Sequence, residues 1–249
     1  MPSRIPAPLH TVSVTYDTGS DILIRNQRYD LLGFNFHTPS EHTKNGRRYD
    51  MEVQIVHQLR KKERKDGADE DGTPHLAILA LWFELPRGII SEIHELRGEY
   101  INIAELNDDE STDARLHELM NRGSNPFLES LNWNQMWRTA IPGSGSTSSS
   151  FGVDSMYVGD VTSSSSPPTA PLNLFDLLPF DQGYITYSGS LTSPPCSEIV
   201  TWYIFKDAVT CSVIQRNILQ RVIGGRNARP IQEKYGRNVT QTKGAKHSQ

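Results

Sequence analysis

Cysteine is scarce in this chain of 249 residues, in which Cys196 and Cys211 are the only two. Two cysteines cannot form a disulfide framework or a cysteine-rich zinc site. The first residues hold prolines but no apolar core of a signal peptide, and no apolar run is long enough to span a bilayer. The net charge of −4 excludes a broad basic field for nucleic acid. We therefore expect a soluble protein that binds no nucleic acid and spans no membrane.

Short stretches of alternating or β-branched residues dominate what is there. TVSVTY and DILIRN flank DTGSD and predict a hairpin. Further predicted strands are YDLLGFNFH, MEVQIVHQL, HLAILALWFEL, GYITYSGS and EIVTWYIF, and predicted helices are ARLHELMNR, NPFLESLNWNQMW and CSVIQRNILQRVI. The pattern predicts a mainly β (α+β) fold, a large and mostly antiparallel sheet with peripheral helices.

Two segments differ in composition from the rest. Arg60 to Gly72 changes from basic to acidic between two strands, and Pro142 to Pro171 is rich in serine, glycine and proline. Strand-like sequence continues on both sides of each segment. We expect surface insertions, the second a mobile loop, within a single domain of residues 1–249.

The stretch GFNFHTPSEHTKNGRRYDMEVQIVH poses a chemical question. Asn35 and His37 alternate with Phe34 and Phe36, so a strand here would point the amide and the imidazole to one face. Such a face is either a metal site or the remains of one. Glu41, His42, Glu52, Gln54, His57 and the later GSLTSPPCSEIVTW each have a bland explanation alone, but their order and spacing together are improbable by chance.

These motifs resemble the α-class carbonic anhydrases from about Tyr29 to Arg237. The resemblance is specific in FNFHTPSEHTKNGRRYDMEVQIVH, GSLTSPPCSEIVTW and NARPIQEKYGR. It implies a twisted, mostly antiparallel sheet with a conical pocket, and at the pocket floor a zinc ion held by three histidines. In the family, the zinc lowers the pKa of its bound water so that hydroxide attacks carbon dioxide at neutral pH.

The zinc-ligand positions of the family fall on Asn35, His37 and Gln54. Only His37 keeps an imidazole. Amide oxygens are harder and weaker donors for zinc than imidazole nitrogens, and a catalytic zinc needs about three good protein donors. Zinc is the cofactor that the family implies, and we expect its binding here to be weak or absent.

The other site residues are better matched. Glu41 and Thr192 match the hydrogen-bonded pair that orients the zinc-bound hydroxide in the family, with Ser193 as the polar neighbour of that pair. Glu52 matches the carboxylate that supports the third ligand, whereas Gly33 stands where the family usually has a supporting glutamine. The apolar wall that receives carbon dioxide is matched by Val56, Ile78, Leu191 and Trp202.

Neither remaining histidine of the motif is expected to replace a lost ligand. His57 faces away from Gln54 by strand parity, and His42 follows a Pro-Ser-Glu turn. Only 34 residues precede Asn35, and no proton-shuttle histidine is identifiable among them. Cys196 matches a cysteine that pairs with an N-terminal one in secreted members, and that partner is absent. We expect that the sequence starts late, and that the protein is secreted if so; otherwise the residues indicate no compartment.

Two functions from different classes follow from the resemblance. The first is a carbonic-anhydrase-related protein that is catalytically inactive or strongly impaired, its pocket kept as a scaffold or a surface for a protein partner. The alternative is a divergent zinc-dependent carbonic anhydrase with residual activity, acting on carbon dioxide and bicarbonate. An incomplete gene product that cannot close its pocket is a third possibility. The ligand substitutions favour the non-enzyme.

Overall fold

The motif strands lie at the centre of one sheet in a computed structural model that describes residues 12–15, 19–60, 76–97, 114–131 and 174–244. The strands are β1 Val12–Thr15, β2 Asp21–Ile24, β3 Gln27–His37, β4 Thr43–Lys44, β5 Arg47–Arg48, β6 Met51–Leu59, β7 Leu76–Glu84, β8 Tyr184–Gly189, β9 Val200–Phe205, β10 Val209–Thr210 and β11 Thr240–Gln241. The α-helices are α1 Ile89–Arg97, α2 Ala114–Asn121, α3 Pro126–Ser130 and α4 Val213–Ile223, and a 3-10 helix spans Leu174–Leu177.

The main sheet has the strand order β1-β3-β6-β7-β9-β8-β11, with β2 added to β3 and β10 added to β7. Most neighbours are antiparallel, but β7 pairs in parallel with both β9 and β10. The predicted large, mostly antiparallel sheet is therefore confirmed, as a mixed sheet. Its central strands β3, β6 and β7 carry the residues of the motif.

The predicted hairpin between TVSVTY and DILIRN is wrong. β1 pairs with Gly33–Phe36 of β3, and β2 pairs with Gln27–Asp30 of the same strand. β3 is long enough to offer two successive stretches to two different partners. The tight turn lies instead at Arg25 and Asn26, whose φ angles of 50° and 65° suit the connection between paired antiparallel strands.

The helices match the predictions unevenly. α2 and α4 form where the apolar spacing predicted them, and α4 begins with a capping box of Ser212 and Gln215 and ends at Gly224 in the left-handed region. α3 covers only the start of its predicted segment, which continues outside the described residues. α1 was missed, although Ile89, Ile93 and Leu96 have helical spacing.

The two faces of the sheet have different contents. On one face, Phe34, Phe36 and Val53 pack in the main hydrophobic core with Phe127 of α3 and Leu219 of α4. Alternation along each strand sends the residues between them to the other face. That second face carries the polar residues of the motif next to a separate apolar cluster.

Several expectations concern residues outside the described ranges. Residues 61–72 of the first predicted insertion and the whole of 142–171 fall there. Among the helices that are described, none is both long and apolar enough to cross a membrane. Cys196 is half-buried and Cys211 is buried, and both are free thiols.

Candidate functional site

The register of β3 and β6 brings the three matched ligand positions together. Asn35 lies directly opposite Gln54, and His37 lies directly opposite Glu52. Residues opposite one another in neighbouring strands point to the same face. One face of the sheet therefore presents two amides, an imidazole and a carboxylate, which we call the floor together with Glu41.

Gln54 connects the two carboxylates of the floor. Its side-chain nitrogen donates to Oε2 of Glu41 at 2.8 Å and to Oε1 of Glu52 at 3.0 Å. The side chain is 2% exposed, so both bonds are shielded from water. An amide nitrogen has two protons, and here each is used by one carboxylate.

Glu41 has a second donor in the C-terminal segment. The backbone N–H of Arg229 donates to Oε1 of Glu41 at 3.1 Å. Among the hydrogen bonds of the described residues, none joins Glu41 to Thr192, which is half-buried in the loop after β8, beside the exposed Ser193. The carboxylate of Glu41 thus accepts hydrogen bonds from Gln54 and Arg229.

The C-terminal segment also fixes the end of β3. The buried Asn227 donates from Nδ2 to the carbonyl of Phe36 at 3.0 Å and accepts from the backbone N–H of Thr38 at 2.9 Å. Arg48 donates to the carbonyls of Glu41 and Arg229. These bonds hold the backbone on both sides of His37 and account for the placement of NARPIQ next to the floor.

A histidine that sequence reasoning set aside, His42, is bound to the floor and is counted as part of it from here on. His42 Nδ1 is 2.8 Å from Oε1 of Glu52, its backbone N–H donates to Oε2 of Glu52 at 2.9 Å, and its Nε2 is 2.8 Å from the Tyr187 hydroxyl. Glu52 is fully buried. Glu52 therefore supports His42 more than Gln54. No sequence pattern pointed to Tyr187, which lies 145 residues further along the chain.

The charges in this network shift the pKa values of its members. Burial alone would raise the pKa of Glu52, but the adjacent His42 outweighs it and lowers that pKa to about 2. Burial alone would lower the pKa of His42, but the Glu52 carboxylate raises it. Burial, with a smaller contribution from Glu52, raises the pKa of Tyr187. The shifts favour the charged forms of both His42 and Glu52, and the neutral form of Tyr187.

His37 contrasts with His42. It is 4% exposed, and neither ring nitrogen has a hydrogen-bond partner among the described residues. Its Nδ1 lies 3.6 Å from Oε1 of Glu41, beyond hydrogen-bonding distance. A buried imidazole without a partner is costly unless something else binds it.

The donors on the floor do not fit a catalytic zinc ion. His37 is the one imidazole at the three ligand positions, and the amide of Gln54 is already oriented by two carboxylates. Within the described ranges, no three or more histidine, cysteine, aspartate or glutamate side chains are grouped so that they could hold a metal. Zinc prefers imidazole or thiolate donors, and amide oxygens at two positions would make a weak site.

The apolar residues matched from sequence pack in one cluster beside the floor. Val56 lies opposite Ile78, and Ile78 lies opposite Trp202, across three neighbouring strands. Ile78 and Trp202 are buried, and the half-buried Val56 and Leu191 pack against the same cluster. The ring of Trp202 is also 4.7 Å from that of His42, so this wall contacts the floor.

Two other residues of the motif lie away from the floor. His57 is 3% exposed, and its Nδ1 is 3.2 Å from the carbonyl of Ile55 in its own strand. Burial lowers the pKa of His57 to about 4, so it is neutral at physiological pH. Gly33 lies at an irregularity in the pairing of β3 with β6, with φ of 153°.

Comparison with known proteins gives a consistent result. The family model described as eukaryotic-type carbonic anhydrase matches residues 7–126 and 155–243. A carbonic anhydrase from Pectobacterium atrosepticum is 28% identical over 230 residues, which are 92% of this chain and 65% of that protein. Dioscorin DB3L from Dioscorea polystachya is also 28% identical, over 90% of this chain and 58% of the dioscorin. The chain thus spans less than two thirds of either relative.

Solved structures agree with the fold. The α-carbonic anhydrase of Thermovibrio ammonificans, solved with the inhibitor sulfanilamide, superposes with a TM-score of 0.57 at 26% identity. The match covers 93% of this chain and 71% of that one. The similarity extends over nearly the whole chain and is not confined to the motif.

Proposed function

Because the chain belongs to the eukaryotic-type carbonic anhydrase family, we propose that it is a carbonic-anhydrase-related protein whose pocket is maintained without catalytic zinc. Its ability to hydrate carbon dioxide is absent or strongly reduced. The pocket serves as a scaffold for binding. The relatives, which include both carbonic anhydrases and a dioscorin, are compatible with either outcome.

One observation carries this proposal, the two hydrogen bonds from the Gln54 amide to Glu41 and Glu52. A zinc ligand at this position would direct a lone pair to the metal and a proton to Glu52. The Gln54 amide instead donates both of its protons to carboxylates. Glu41 also accepts a hydrogen bond from the backbone N–H of Arg229. The floor is thereby satisfied largely by its own hydrogen bonds.

The stability of the floor also supports a pocket that persists without a metal. Glu52 and His42 form a buried ion pair with additional hydrogen bonds from Gln54 and to Tyr187. A buried carboxylate with several donors is far less costly than one awaiting a ligand. The floor can therefore fold as it stands.

The alternative is a divergent zinc-dependent carbonic anhydrase with residual activity. His37 favours it, because this buried imidazole has no hydrogen-bond partner among the described residues, as expected of a group waiting for a ligand. The apolar wall of Ile78 and Trp202 and the carboxylate of Glu41 would then receive carbon dioxide as in the family.

Elemental analysis of the purified and dialysed protein separates the two functions. The proposal expects much less than one zinc per chain, and carbon dioxide hydration at the uncatalysed rate by stopped flow, with or without added zinc. About one zinc per chain, together with hydration that a chelator abolishes, would establish the enzyme. Near-stoichiometric zinc without hydration would also overturn the proposal, because the pocket would then hold the metal it is said to lack.

A further inference from the structure

A surface cleft beyond the end of β3 has four arginines among its nine lining residues. Its volume is about 380 Å³, and Arg47, Arg48, Arg216 and Arg226 line it together with the single carboxylate of Asp50. The chain as a whole carries a net charge of −4. The cationic cleft is therefore a local feature and not a consequence of composition.

Carboxylates of the described residues neutralise these arginines only partly. Arg216 lies 3.8 Å from Oδ1 of Asp50, whose Oδ2 accepts from the backbone N–H of Leu85 at 3.0 Å. Arg47 reaches Glu84 only at 3.9 Å. Arg226 is exposed and forms no hydrogen bond or ion pair with any described residue. Like charges around one cleft repel each other, and a bound anion would relieve that repulsion.

Two of the four arginines are held in place. Arg48 donates to the backbone carbonyls of Ser40, Glu41 and Arg229, so its charge is fixed without being neutralised. Nε of Arg216 donates to Oδ1 of Asn217 at 2.9 Å. Fixed cations cost less to organise around a ligand than free ones do.

The other two arginines remain available to a ligand. Arg47 has a side chain that is 70% exposed, and Arg226 is also exposed. A guanidinium group can donate two parallel N–H bonds to two oxygens of one phosphate. The cleft thus combines two arginines held by hydrogen bonds with two exposed ones, of which Arg47 also lies 5.7 Å from the ring of Tyr49.

A second cleft, between α1 and α2, shows that this arrangement is distinctive. It has a similar volume of about 350 Å³, but its lining mixes both signs of charge. Arg122 there donates to Glu92 at 2.7 Å. Its three glutamates outnumber its two arginines, so that cleft has no excess of positive charge.

We propose that the cleft of Arg47, Arg48, Arg216 and Arg226 binds a phosphate dianion, either free or as the monoester group of a small molecule. Tetrahedral oxygens and two negative charges suit several guanidinium groups converging from different directions. The proposal does not depend on zinc at the floor, although Arg48 connects the cleft to the backbone of Glu41 and Arg229.

The test uses the full chain in thermal unfolding and isothermal titration at constant ionic strength. Inorganic phosphate, phenyl phosphate and chloride are compared on the original protein, on Arg47→Ala/Arg226→Ala, and on Arg221→Ala as control. Arg221 is an exposed arginine of the same region that does not line the cleft. Arg48 is left unchanged because its backbone bonds support the fold.

Phosphate should stabilise the original protein more than chloride does, and the double variant should bind phosphate at least tenfold more weakly. Arg221→Ala should stay within about twofold. Tighter binding of phenyl phosphate identifies an ester as the ligand, and tighter binding of inorganic phosphate identifies the free ion. Equal effects of phosphate and chloride, or equal losses in the control, would overturn the site.

Discussion

The floor and the wall lie on the same face of the same sheet but differ in the interactions that stabilise them. The wall is largely apolar, with Ile78 and Trp202 packed in one cluster, and the indole N–H of Trp202 donates to the carbonyl of Ser190 at 3.2 Å. The floor is polar, and each carboxylate depends on a donor from elsewhere in the chain, Arg229 for Glu41 and His42 for Glu52. An apolar cluster tolerates substitutions that keep its volume. In a buried polar network, every hydrogen bond that a substitution removes must be replaced.

The floor shows such a replacement at Gln54. Its amide donates to two carboxylates, so an amide at this predicted ligand position leaves both of them with a donor. His37 is the exception, because the described residues offer its ring no hydrogen bond. The predictions that follow alter the floor first and the wall last.

The largest effect is expected from restoring two imidazoles. Asn35→His with Gln54→His would place three imidazoles on one face, because Asn35 and Gln54 are directly opposite and His37 follows on β3. Zinc affinity should rise by about four orders of magnitude, or roughly 5.5 kcal/mol, as measured by isothermal titration. Hydration should recover less, since Gly33 has no side chain to support the first ligand.

Both single variants serve as controls for that pair. Each adds only one imidazole to His37 and should gain much less affinity, because two donors leave the site incomplete. If the folded double variant binds zinc no better than the original, these residues do not occupy the ligand positions of the family.

Glu52→Gln should cause the next largest effect, on the stability of the floor. It removes the charge that pairs with His42 and sets an amide against the donors of His42 and Gln54. We expect the free energy of unfolding to fall by about 3 to 5 kcal/mol in urea denaturation. Tyr187→Phe, which removes only a contact to His42 Nε2, should cost about 1 kcal/mol. Similar losses in both variants would mean that the ion pair is not what stabilises the floor.

The third prediction concerns His57, a buried imidazole that has no carboxylate partner among the described residues, and its effect on the pH dependence of stability. Its pKa falls from 6.5 to about 4 on folding, so the unfolded chain binds more protons between these values. Its contribution to stability is complete above pH 6.5 and is lost as the pH falls towards 4, by roughly 2 to 3 kcal/mol. His57→Leu should flatten the dependence of stability on pH in this window. The free energy of unfolding is measured by urea denaturation at several pH values. If its dependence on pH is the same in the variant and the original, His57 is not buried as a neutral group.

The smallest effect is expected in the wall. Ile78→Val removes one buried methylene group and should reduce the free energy of unfolding by about 0.5 to 1.5 kcal/mol. The NMR titration of His42 should stay unchanged, because packing and polar contacts are separate. A shifted titration of His42 would break the distinction between floor and wall.

Short-range patterns in the sequence predicted much of the fold. Alternation placed Phe34 and Phe36 in the core and gave the strands β3, β6 and β7, since side-chain direction along a strand depends only on neighbouring residues. The same alternation failed for the first hairpin. Alternation does not indicate which strands pair with each other. β1 and β2 both pair with β3 instead of pairing with one another.

Within the site, the sequence by itself determined which residue types stand at the predicted ligand positions and that Asn35 and His37 share a face. Only the tertiary structure decided that His42, and not Gln54, is the main partner of Glu52, and that Tyr187 completes this network from 145 residues away. It also decided that arginines from separate segments, such as Arg48 and Arg226, line one cleft. The physical reason is that such contacts depend on the register of strands and the paths of loops, which are fixed by packing of the whole chain and not by local periodicity.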